Sequence, residues 1–358
     1  MITDCHRVRS ETDRRAEILK AGKTVPVGRS IMKALFIGGT GNISSAVSAL
    51  AVARGVDLTV LNRGGRESPA GCRHIACDIG NEEGVRTALR DERFDCVVNW
   101  IAFTADDVAR DLRLFSKKTA QYVFISSASA YEKPPRTPVI TEETPLSNPF
   151  WEYSRNKIAC ERMLEEARRA SGFPAVVVRP SLTYHTLFPI ALGGWGCFTL
   201  ADRMRRGGEI VVHGDGTSLW TVTHADDFAK GFVPLMGDMR TIGEAFHITS
   251  DELLTWNQIY SQMGEALGVA PRLVHVPSDF IVGVVPELEG TLLGDKAHST
   301  IFDNAKIKRF VPGFEATIPF CEGVKRTVAW FDAHPEKKVV NERENRILDT
   351  ILQAFRRP

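Results

Sequence analysis

A glycine-rich turn between a short apolar run and a helical pattern constrains this chain more than any other feature. Residues 33–48 read KALFIGGTGNISSAVS, and four consecutive apolar residues precede Gly38. An apolar run without a polar face is typical of a strand buried on both sides in a parallel sheet. Glycines then allow a tight turn whose backbone can approach a pyrophosphate at the N-terminus of the next helix, expected near Asn42. The turn therefore predicts a nucleotide-phosphate site with these contacts: Gly38, Thr40, Gly41, Asn42 and Ile43.

The end of a second predicted strand, residues 58–61, should carry the side chains that meet the adenosine ribose of a dinucleotide. Asn62 and Arg63 follow it, in the place of an acidic residue that would accept hydrogen bonds from a ribose 2′-hydroxyl. A guanidinium can instead bind a 2′-phosphate through two parallel hydrogen bonds, so Arg63 favours NADP over NAD. The alternative interpretation is that Arg63 only solvates the turn of residues 63–66.

Strand and helix patterns alternate over the first half of the chain. Further strands are predicted at 73–76, 94–99, 121–125 and 175–179, and helices at 81–90, 105–116 and 151–170. This alternation predicts a parallel sheet with right-handed crossovers, in an α/β doubly wound Rossmann fold. Asp78 and Ile79 follow the third strand, where an adenine edge could lie, and Asp78 could equally cap the next helix.

The alternation stops after residue 180. Residues 181–218 are rich in glycine and aromatic residues, which is typical of a substrate-facing cap. We predict a Rossmann domain of 32–180 and 219–250, a smaller discontinuous α+β cap of 181–218 and 251–335, and a C-terminal helix in 336–358. Residues 1–31 lack the continuous apolar core of a secretory signal, and we expect a peripheral extension there, with a short helix at 11–20 as an option.

Composition argues against several function classes. The 358 residues include 45 Lys and Arg against 44 Asp and Glu, so a net charge of +1 gives no global field toward nucleic acid or anionic lipid. The seven cysteines are scattered without a CxxC pair, which argues against a disulfide framework and a zinc site. They favour a reduced, cytoplasmic setting. We expect a small-molecule partner, and no nucleic acid, membrane or metal.

A phenol and an ammonium four residues apart, Tyr153 and Lys157, lie on one face of the predicted helix 151–170. A tyrosine hydroxyl has an ordinary pKa of about 10 and is a poor base at neutral pH. The charge of Lys157, with that of an oxidised nicotinamide, should lower the pKa of Tyr153. Such a tyrosine accepts a proton from an alcohol as hydride leaves, or gives one to a ketone as hydride arrives. The spacing alone is common on surface helices.

Five motifs together are more specific than the spacing: GGTGNIS, FISSASAY, YSRNK, VVVRP and THADD. In their order and approximate spacing, residues 32–331 resemble the extended short-chain dehydrogenase/reductase family, which includes NAD-dependent epimerases and dehydratases of sugar nucleotides. The resemblance implies that Tyr153 is the acid and base, and that Lys157 binds the nicotinamide ribose and tunes Tyr153. It implies that Ser127 hydrogen-bonds the reacting hydroxyl or carbonyl. Members often form homodimers through the helices after the fourth and fifth strands.

Two positions depart from the pattern of that family. Ser44 holds the position of the last fingerprint glycine, and we expect it to reshape the helix-to-strand packing without abolishing cofactor binding. Ala128, followed by Ser129, stands where dehydratases of the family have an acidic residue, so loss of water from a sugar intermediate is poorly supported.

The expected function is therefore hydride transfer between a nicotinamide and a hydroxyl or keto carbon, by an epimerase or carbonyl reductase. NADP is the expected cofactor, with NAD as the alternative, and the expected substrate is a nucleotide sugar. The rival hypothesis is a non-catalytic NAD(P)-binding redox sensor or RNA-binding protein on the same fold.

Several other residues have both a structural and a functional interpretation. For His224 and Asp227 we favour a role at the start of a helix. Arg179 either binds a phosphate or pairs with a carboxylate, and we expect Glu142 and Glu143 to be solvated. A further set either lines a sugar or aromatic pocket or belongs to the core: Tyr184, His185, Trp195 and Trp220.

Overall fold

A seven-stranded parallel sheet lies at the centre of the computed structural model, which describes residues 31–357. Its strands are β1 (Lys33–Ile37), β2 (Asp57–Asn62), β3 (Arg73–Ala76), β4 (Cys96–Asn99), β5 (Tyr122–Ile125), β6 (Ala175–Val178) and β7 (Ala245–Phe246). Their spatial order is β7-β6-β5-β4-β1-β2-β3, with every neighbouring pair parallel. The direction of the order reverses between β1 and β4, where open parallel sheets bind ligands. The predicted doubly wound Rossmann fold is confirmed.

Helices cover both faces of the sheet and build the region beyond it. The α-helices of residues 31–357 are α1 (Ser44–Ala53), α2 (Glu82–Ala88), α3 (Ala105–Phe115), α4 (Glu152–Ser171), α5 (Thr199–Arg205), α6 (Ala225–Phe232), α7 (Trp256–Leu267), α8 (Ser278–Val284), α9 (Ala305–Phe310), α10 (Phe320–Ala333) and α11 (Glu342–Phe355). A helical turn, Glu289–Thr291, precedes α9 and runs directly into a π-helix, Leu292–Lys296.

Among the described residues, four short strand pairs lie outside the central sheet, and 3-10 turns occur at Ala128–Ala130, Val233–Leu235, Met239–Thr241, Pro286–Leu288 and Pro335–Lys337. Three pairs are parallel and one is antiparallel. The parallel pairs are Leu182–Tyr184 with Val222–His224, Glu209–His213 with Arg272–Val276, and Val139–Ile140 with Ile301–Phe302; the antiparallel pair is Leu219–Trp220 with Leu254–Thr255. The pair of Val139–Ile140 with Ile301–Phe302 connects the segment between β5 and α4 to the chain beyond the π-helix.

The side chains of β1 alternate between two hydrophobic cores, one on each face of the sheet. Ala34 and Phe36 belong to the core beneath α1 and α6, whereas Leu35 and Ile37 belong to the core beneath α2, α3 and α4. All four residues are fully buried. This explains why the sequence of β1 has no polar face, since a strand with helices on both sides has no face toward water.

A third hydrophobic core joins the region after β6 to the C-terminal helices. The large side chains Trp256 and Tyr260 of α7 are fully buried in it, together with Leu348 and Ile351 of α11. The apolar stripe of the C-terminal helix therefore packs, except at its end, where Phe355 is 40% exposed. The proposed division into a Rossmann domain and a cap stays a prediction.

The predicted elements differ from the observed ones mainly at their ends. The first helix begins at Ser44 rather than near Asn42, and the strand predicted at 94–99 begins at Cys96. Phe94 makes only an isolated bridge with Thr119. The predicted extension and its helix at 11–20 fall outside residues 31–357. Within that range, no helix has both the length and the apolar character needed to cross a bilayer.

Candidate active site

A cavity of about 1090 Å³ opens at the carboxyl ends of the central strands. Its wall comes from the loops after β1 to β6 and from chain segments beyond residue 180. All of the residues predicted to bind cofactor or substrate contribute to it: Gly38, Thr40, Gly41, Asn42, Ile43, Asn62, Arg63, Asp78, Ile79, Ser127, Tyr153 and Lys157. Their roles toward a cofactor or substrate stay predictions, but their convergence on one cavity is a property of the fold.

Gly38 makes the turn after β1 in a conformation that side chains rarely adopt. Its φ is +99°, and a Cβ there would lie 3.2 Å from the side chains of both Trp100 and Ile101, in the loop after β4. Its amide donates to the carbonyl oxygen of Leu61 at 2.9 Å. The missing side chain thus leaves room where the loops after β1 and β4 meet, which fits a close approach of a pyrophosphate to the backbone.

Ser44 has a defined function at the start of α1. Its hydroxyl accepts a hydrogen bond from the Gly41 amide at 2.8 Å, and its side chain is buried. The N-cap residue Ile43 makes no side-chain capping bond, and α1 has no acidic residue in its first turn. The helix N-terminus therefore has uncompensated amide dipoles beside the cavity, which suits an anion.

Asn42 has a structural function that sequence reasoning missed. Its side-chain amide donates to the carbonyl oxygen of Thr183 at 2.9 Å. The side-chain oxygen Oδ1 of Asn42 accepts from the backbone amides of His185 at 3.1 Å and Thr186 at 3.2 Å. Asn42 thus ties the glycine-rich turn to the segment beyond β6. The partners are some 140 residues away in sequence, so only the folded chain shows them.

Two guanidinium groups, not one, line the cavity where the adenosine ribose is expected to bind. Arg63 and Arg66 both line it and are both exposed, and Arg66 also donates to the carbonyl oxygen of Thr40 at 3.3 Å. The side-chain oxygen of Asn62 accepts from the Gly64 amide at 2.7 Å and lies 2.9 Å from Nε2 of His74. Asn62 therefore holds the turn that carries Arg63, and both exposed arginines remain within the cavity wall.

Asp78 forms a local turn and does not cap the following helix. Its carboxylate accepts from the Gly80 amide at 2.9 Å. The cap of α2 is Asn81, whose side-chain oxygen accepts from the Gly84 amide at 3.0 Å. The alternative role considered for Asp78 is thus wrong, because the helix begins one turn later than that role requires. Ile79 is buried beside it in the cavity wall.

Lys157 is buried and held by two backbone carbonyl groups. Its ammonium donates to the carbonyl oxygen of Ala102, in the loop after β4, at 2.6 Å and to that of Ile125, the last residue of β5, at 2.8 Å. It also lies 4.5 Å from the ring centroid of Phe103. Burial lowers the pKa of Lys157 to about 8.

Tyr153 lies on the same face of α4, and the Lys157 ammonium is 5.8 Å from its ring centroid. Burial raises the pKa of Tyr153, a hydrogen bond with Ser127 lowers it, and the charge of Asp295 raises it further. The expectation that Lys157, together with an oxidised nicotinamide, lowers this pKa stays a prediction. The ammonium is turned toward two carbonyl groups, and burial of the phenol outweighs the favourable contact with Ser127.

A chain of hydroxyl groups joins Ser127, Ser129 and Ser154. The Ser127 hydroxyl is 2.9 Å from that of Ser129, whose amide also donates to Ser127 at 3.2 Å. Ser154, the neighbour of Tyr153 on α4, donates to Ser129 at 2.7 Å. Ser129 therefore fixes the position of Ser127 from behind. The family resemblance singled out Ser127 in the FISSASAY motif, but it did not indicate this connection.

The buried ion pair between Arg179 and Glu161 decides between the two roles considered for Arg179. The guanidinium contacts the Glu161 carboxylate at 2.7 Å, and both side chains are less than a tenth exposed. Ser126 donates to the same carboxylate. Arg179 therefore pairs with a carboxylate, which links β6 to α4 behind the residues predicted to be catalytic.

Glu142 corrects the expectation that both carboxylates of the loop before α4 are solvated. Its side chain is 5% exposed, and its carboxylate accepts from the His247 amide at 3.3 Å. Burial raises the pKa of Glu142. Glu143 is exposed, as expected. The loop folds over the end of β7, so that neighbouring residues have opposite surroundings.

His224 caps α6, which agrees with the structural role favoured for it. Its Nδ1 accepts from the Asp226 amide at 3.2 Å, and its side chain is buried. Asp227 accepts from the Ile318 amide at 2.8 Å and pairs with Lys230 at 2.6 Å. Ligand-type atoms of His185, His224 and Asp226 lie within 4.8 Å of one another, outside the cavity wall.

The cavity wall also contains residues that sequence reasoning did not single out. Two tryptophans considered for a pocket, Trp195 and Trp220, line the cavity, whereas Tyr184 is buried in the third core. Additional wall residues come from distant parts of the chain: Lys133, Trp151, Asp295, Lys296 and Glu344. These positions show no periodicity or motif, so tertiary contact alone brings them together.

Comparisons with known proteins agree with this architecture. The chloroplast stem-loop binding protein of 41 kDa b from Arabidopsis thaliana is 25% identical over 272 residues, which cover 70% of this chain and 68% of that protein. A UDP-glucose 4-epimerase from Lactobacillus helveticus is 30% identical over 169 residues, which cover 41% of this chain and 51% of the epimerase.

Among solved structures, a dTDP-glucose 4,6-dehydratase from Bacillus anthracis, in complex with NAD, has a similar fold. The TM-score is 0.68 at 19% identity, and the match covers 86% of this chain and 98% of the dehydratase. The sequence model of the NAD dependent epimerase/dehydratase family matches residues 34–248, which are more than half of the sequence. This match includes the glycine-rich turn, Ser127, Tyr153 and Lys157, and the chain belongs to the NAD-dependent epimerase/dehydratase family.

Proposed function

We propose that this protein transfers hydride between NADP(H) and a hydroxyl or keto carbon of a nucleotide sugar, as an epimerase or carbonyl reductase. The observation that carries the proposal is the convergence of Ser127, Tyr153 and Lys157 on the cavity at the reversal point of the sheet. A phenol, a hydroxyl and an ammonium are the groups that proton transfer to or from a carbonyl oxygen requires. The names of the epimerase and dehydratase relatives support the choice of a nucleotide sugar.

The side chains divide the work at the reacting carbon. The cofactor, when bound, donates or accepts the hydride. In reduction Tyr153 donates its hydroxyl proton to the carbonyl oxygen, while Ser127 holds that oxygen by a hydrogen bond. In oxidation the phenolate of Tyr153 accepts the proton of the alcohol. Lys157 uses two of its three N–H donors on Ala102 and Ile125, and the third remains for a ribose hydroxyl.

The proposed residues fit a dinucleotide along the length of the cavity. The Gly38 turn and the uncapped start of α1 would hold the pyrophosphate, and Arg63 with Arg66 would hold a 2′-phosphate. The two exposed guanidiniums support NADP, although the dehydratase of similar fold was solved with NAD. Ala128 remains beside Ser127 without a carboxylate, which supports epimerisation or reduction over dehydration.

Replacement of Tyr153 by Phe tests the catalytic proposal. Loss of the only proposed proton donor should lower turnover by roughly 10²- to 10⁴-fold, the usual contribution of general acid and base catalysis. NADPH affinity, measured by fluorescence titration, should stay unchanged because the ring keeps its packing. Ser127→Ala should lower turnover less. Unchanged turnover in Tyr153→Phe would exclude the proposed mechanism.

The pH profile gives a second readout of the same tyrosine. Because the pKa of Tyr153 is raised, the phenol stays protonated at neutral pH and is ready to act as an acid. Reduction should therefore be nearly independent of pH around neutrality, whereas oxidation of the alcohol should accelerate as pH rises toward the pKa of the phenol. The reverse order would mean that another group moves the proton.

A second candidate function has one specific observation in its favour, the name of the Arabidopsis relative as a stem-loop binding protein. The net charge of +1 gives no general attraction to RNA. A gel-shift titration with a stem-loop RNA separates the two functions. Tight binding that survives Tyr153→Phe, with no NADPH-dependent turnover by the wild type, would favour the RNA-binding alternative.

A further inference from the structure

We propose that Lys133 and Lys296 form a subsite for an anionic group of the substrate, a carboxylate or a phosphate, beside the reacting carbon. This inference rests on the proposed function, because it concerns the substrate end of the same cavity. Lys133 lies in the segment between β5 and α4, and Lys296 ends the π-helix. Both residues line the cavity together with Tyr153.

The two lysines are buried and share a single carboxylate. Lys133 is 3% exposed, Lys296 is 8% exposed, and Asp295 between them is 9% exposed. The Asp295 carboxylate lies 3.8 Å from Nζ of Lys133 and 3.2 Å from Nζ of Lys296. Within residues 31–357 these are the ion pairs that either lysine makes, so the cluster has one positive charge more than negative.

A surplus positive charge in the buried wall of the cavity is unfavourable unless a bound anion neutralises it. Buried ammonium groups require a counter-charge or hydrogen-bond acceptors, and burial lowers the pKa of Lys133 despite the nearby carboxylate. An anion that enters the cavity would neutralise the surplus charge and accept hydrogen bonds from both lysines. A neutral hydroxyl could accept hydrogen bonds but would leave the charge uncompensated.

The backbone around this cluster is built to hold the lysines in place. The carbonyl oxygen of Lys296 accepts from the Trp256 indole at 3.2 Å and lies 2.9 Å from Nε2 of His213. Asn148 donates to the carbonyl oxygen of Gly294 at 2.7 Å and to that of Ser129 at 2.8 Å. Through these two bonds, Asn148 connects the π-helix to Ser129, a member of the chain of hydroxyl groups. Single π-turns of this kind occur frequently at functional sites.

The position of Trp151 places the cluster next to the proposed acid and base. Nζ of Lys296 lies 5.6 Å from the centroid of the Trp151 ring, and the Tyr153 ring packs on the same indole with centroids 5.0 Å apart. A Cβ at Gly290 would clash with this indole, so glycine at that position allows the helical turn before the π-helix to approach it. A substrate held at Tyr153 therefore has its neighbouring substituent near the lysines.

Calorimetric titration of the NADPH-loaded protein tests the subsite with three probes: UDP-glucuronate, UDP-glucose and inorganic phosphate. The two nucleotide sugars differ by one carboxylate on the sugar. Lys133→Met should weaken binding of the anion that occupies the subsite by roughly tenfold or more, the usual effect of losing a hydrogen bond to a charged group. Asp295→Asn should strengthen it, because the surplus positive charge then grows.

The matched control is Lys306→Met, which removes a lysine that pairs with Glu244 at 2.8 Å outside the cavity wall. It should leave all three affinities unchanged. If Lys133→Met removes a preference for UDP-glucuronate over UDP-glucose, the bound group is the sugar carboxylate. If it weakens both nucleotide sugars and phosphate equally, the bound group is a phosphate.

Equal affinities in Lys133→Met, Asp295→Asn and the control would overturn the subsite, and so would failure of the wild type to bind any of the probes. Binding is measured without turnover, so this result is separate from the test of Tyr153. If the enzyme is active but Lys133→Met and Asp295→Asn change no affinity, only the subsite proposal is overturned. If the protein binds the anion through these lysines but never transfers hydride, only the proposed catalytic function is overturned.

Discussion

Arg63 is the residue at which the cofactor preference can be tested with one substitution. Arg63→Glu replaces the guanidinium with a carboxylate that repels a 2′-phosphate and can accept hydrogen bonds from a ribose 2′-hydroxyl. NADPH affinity should fall roughly tenfold or more, and NADH affinity should stay equal or improve. Fluorescence titration with both cofactors measures the ratio. Arg90→Glu, at an exposed arginine outside the cavity wall, should change neither affinity.

A wild-type protein that binds NADH much better than NADPH would show that Arg63 only solvates its turn. Arg66 also lines this part of the cavity. A substitution of Arg66 shows whether the 2′-phosphate is bound by both arginines or by Arg63 alone. If Arg66→Ser also lowers the affinity for NADPH without affecting NADH, both arginines bind the 2′-phosphate.

At the residue scale, the sequence was informative wherever a side chain follows directly from a strand or repeats along a helix. Ser127, Tyr153 and Lys157 needed no knowledge of distant partners, because the end of β5 and one face of α4 place them. Asn42 and Glu142 were different. Their hydrogen-bond partners lie about 100 or more residues away, and no local pattern distinguishes the buried Glu142 from the exposed Glu143.

The turn between β1 and α1 can be tested as an element, by adding a methyl group. Gly38→Ala should destabilise the fold by about 1–2 kcal/mol, because φ is +99° there and side chains rarely adopt it. It should also weaken cofactor binding, since the new Cβ would lie within 3.2 Å of Trp100 and Ile101 and would disturb both loops. Chemical denaturation and cofactor titration measure the two effects.

Gly55 is the matched control for this element. Its φ is +80°, and a Cβ there would meet nothing within 4 Å. Gly55→Ala should therefore cost a similar backbone strain and leave cofactor affinity unchanged. Equal loss of cofactor affinity in the two variants would mean that stability alone, and not the geometry of the turn, controls binding.

The elements of the sheet were predictable because buried parallel strands have a simple signature. The predicted strand at 73–76 coincides with β3, and that at 121–125 begins one residue before β5. The π-helix Leu292–Lys296 could not be predicted in this way. Its sequence LLGDK has no period, and its conformation depends on the contacts of Gly290, Gly294 and Lys296 with Trp151, Asn148 and Trp256.

At the scale of the whole molecule, the cavity lies between hydrophobic cores that different parts of the chain build. Ile79 belongs to a core of the sheet and lines the cavity, whereas Trp220 and Leu192 line it from the third core. Residues from Met32 onward form one compact unit. A cofactor bound in the cavity should therefore stabilise the unit as a whole. The expected homodimer through α3 and α4 stays a prediction, which light scattering can test.

Thermal unfolding with and without NADPH tests this cooperativity. A ligand that binds only the folded state adds about 2.7 kcal/mol of stability at a hundred times its dissociation constant, or roughly 4 °C in Tm for a chain of this size. We expect one unfolding transition that shifts upward by this amount, and a smaller shift with NADH at the same concentration. The variant Arg63→Glu should reduce the shift for NADPH alone. Two transitions, of which NADPH moves only one, would show that the third core unfolds independently of the sheet and that only one side of the cavity binds the cofactor.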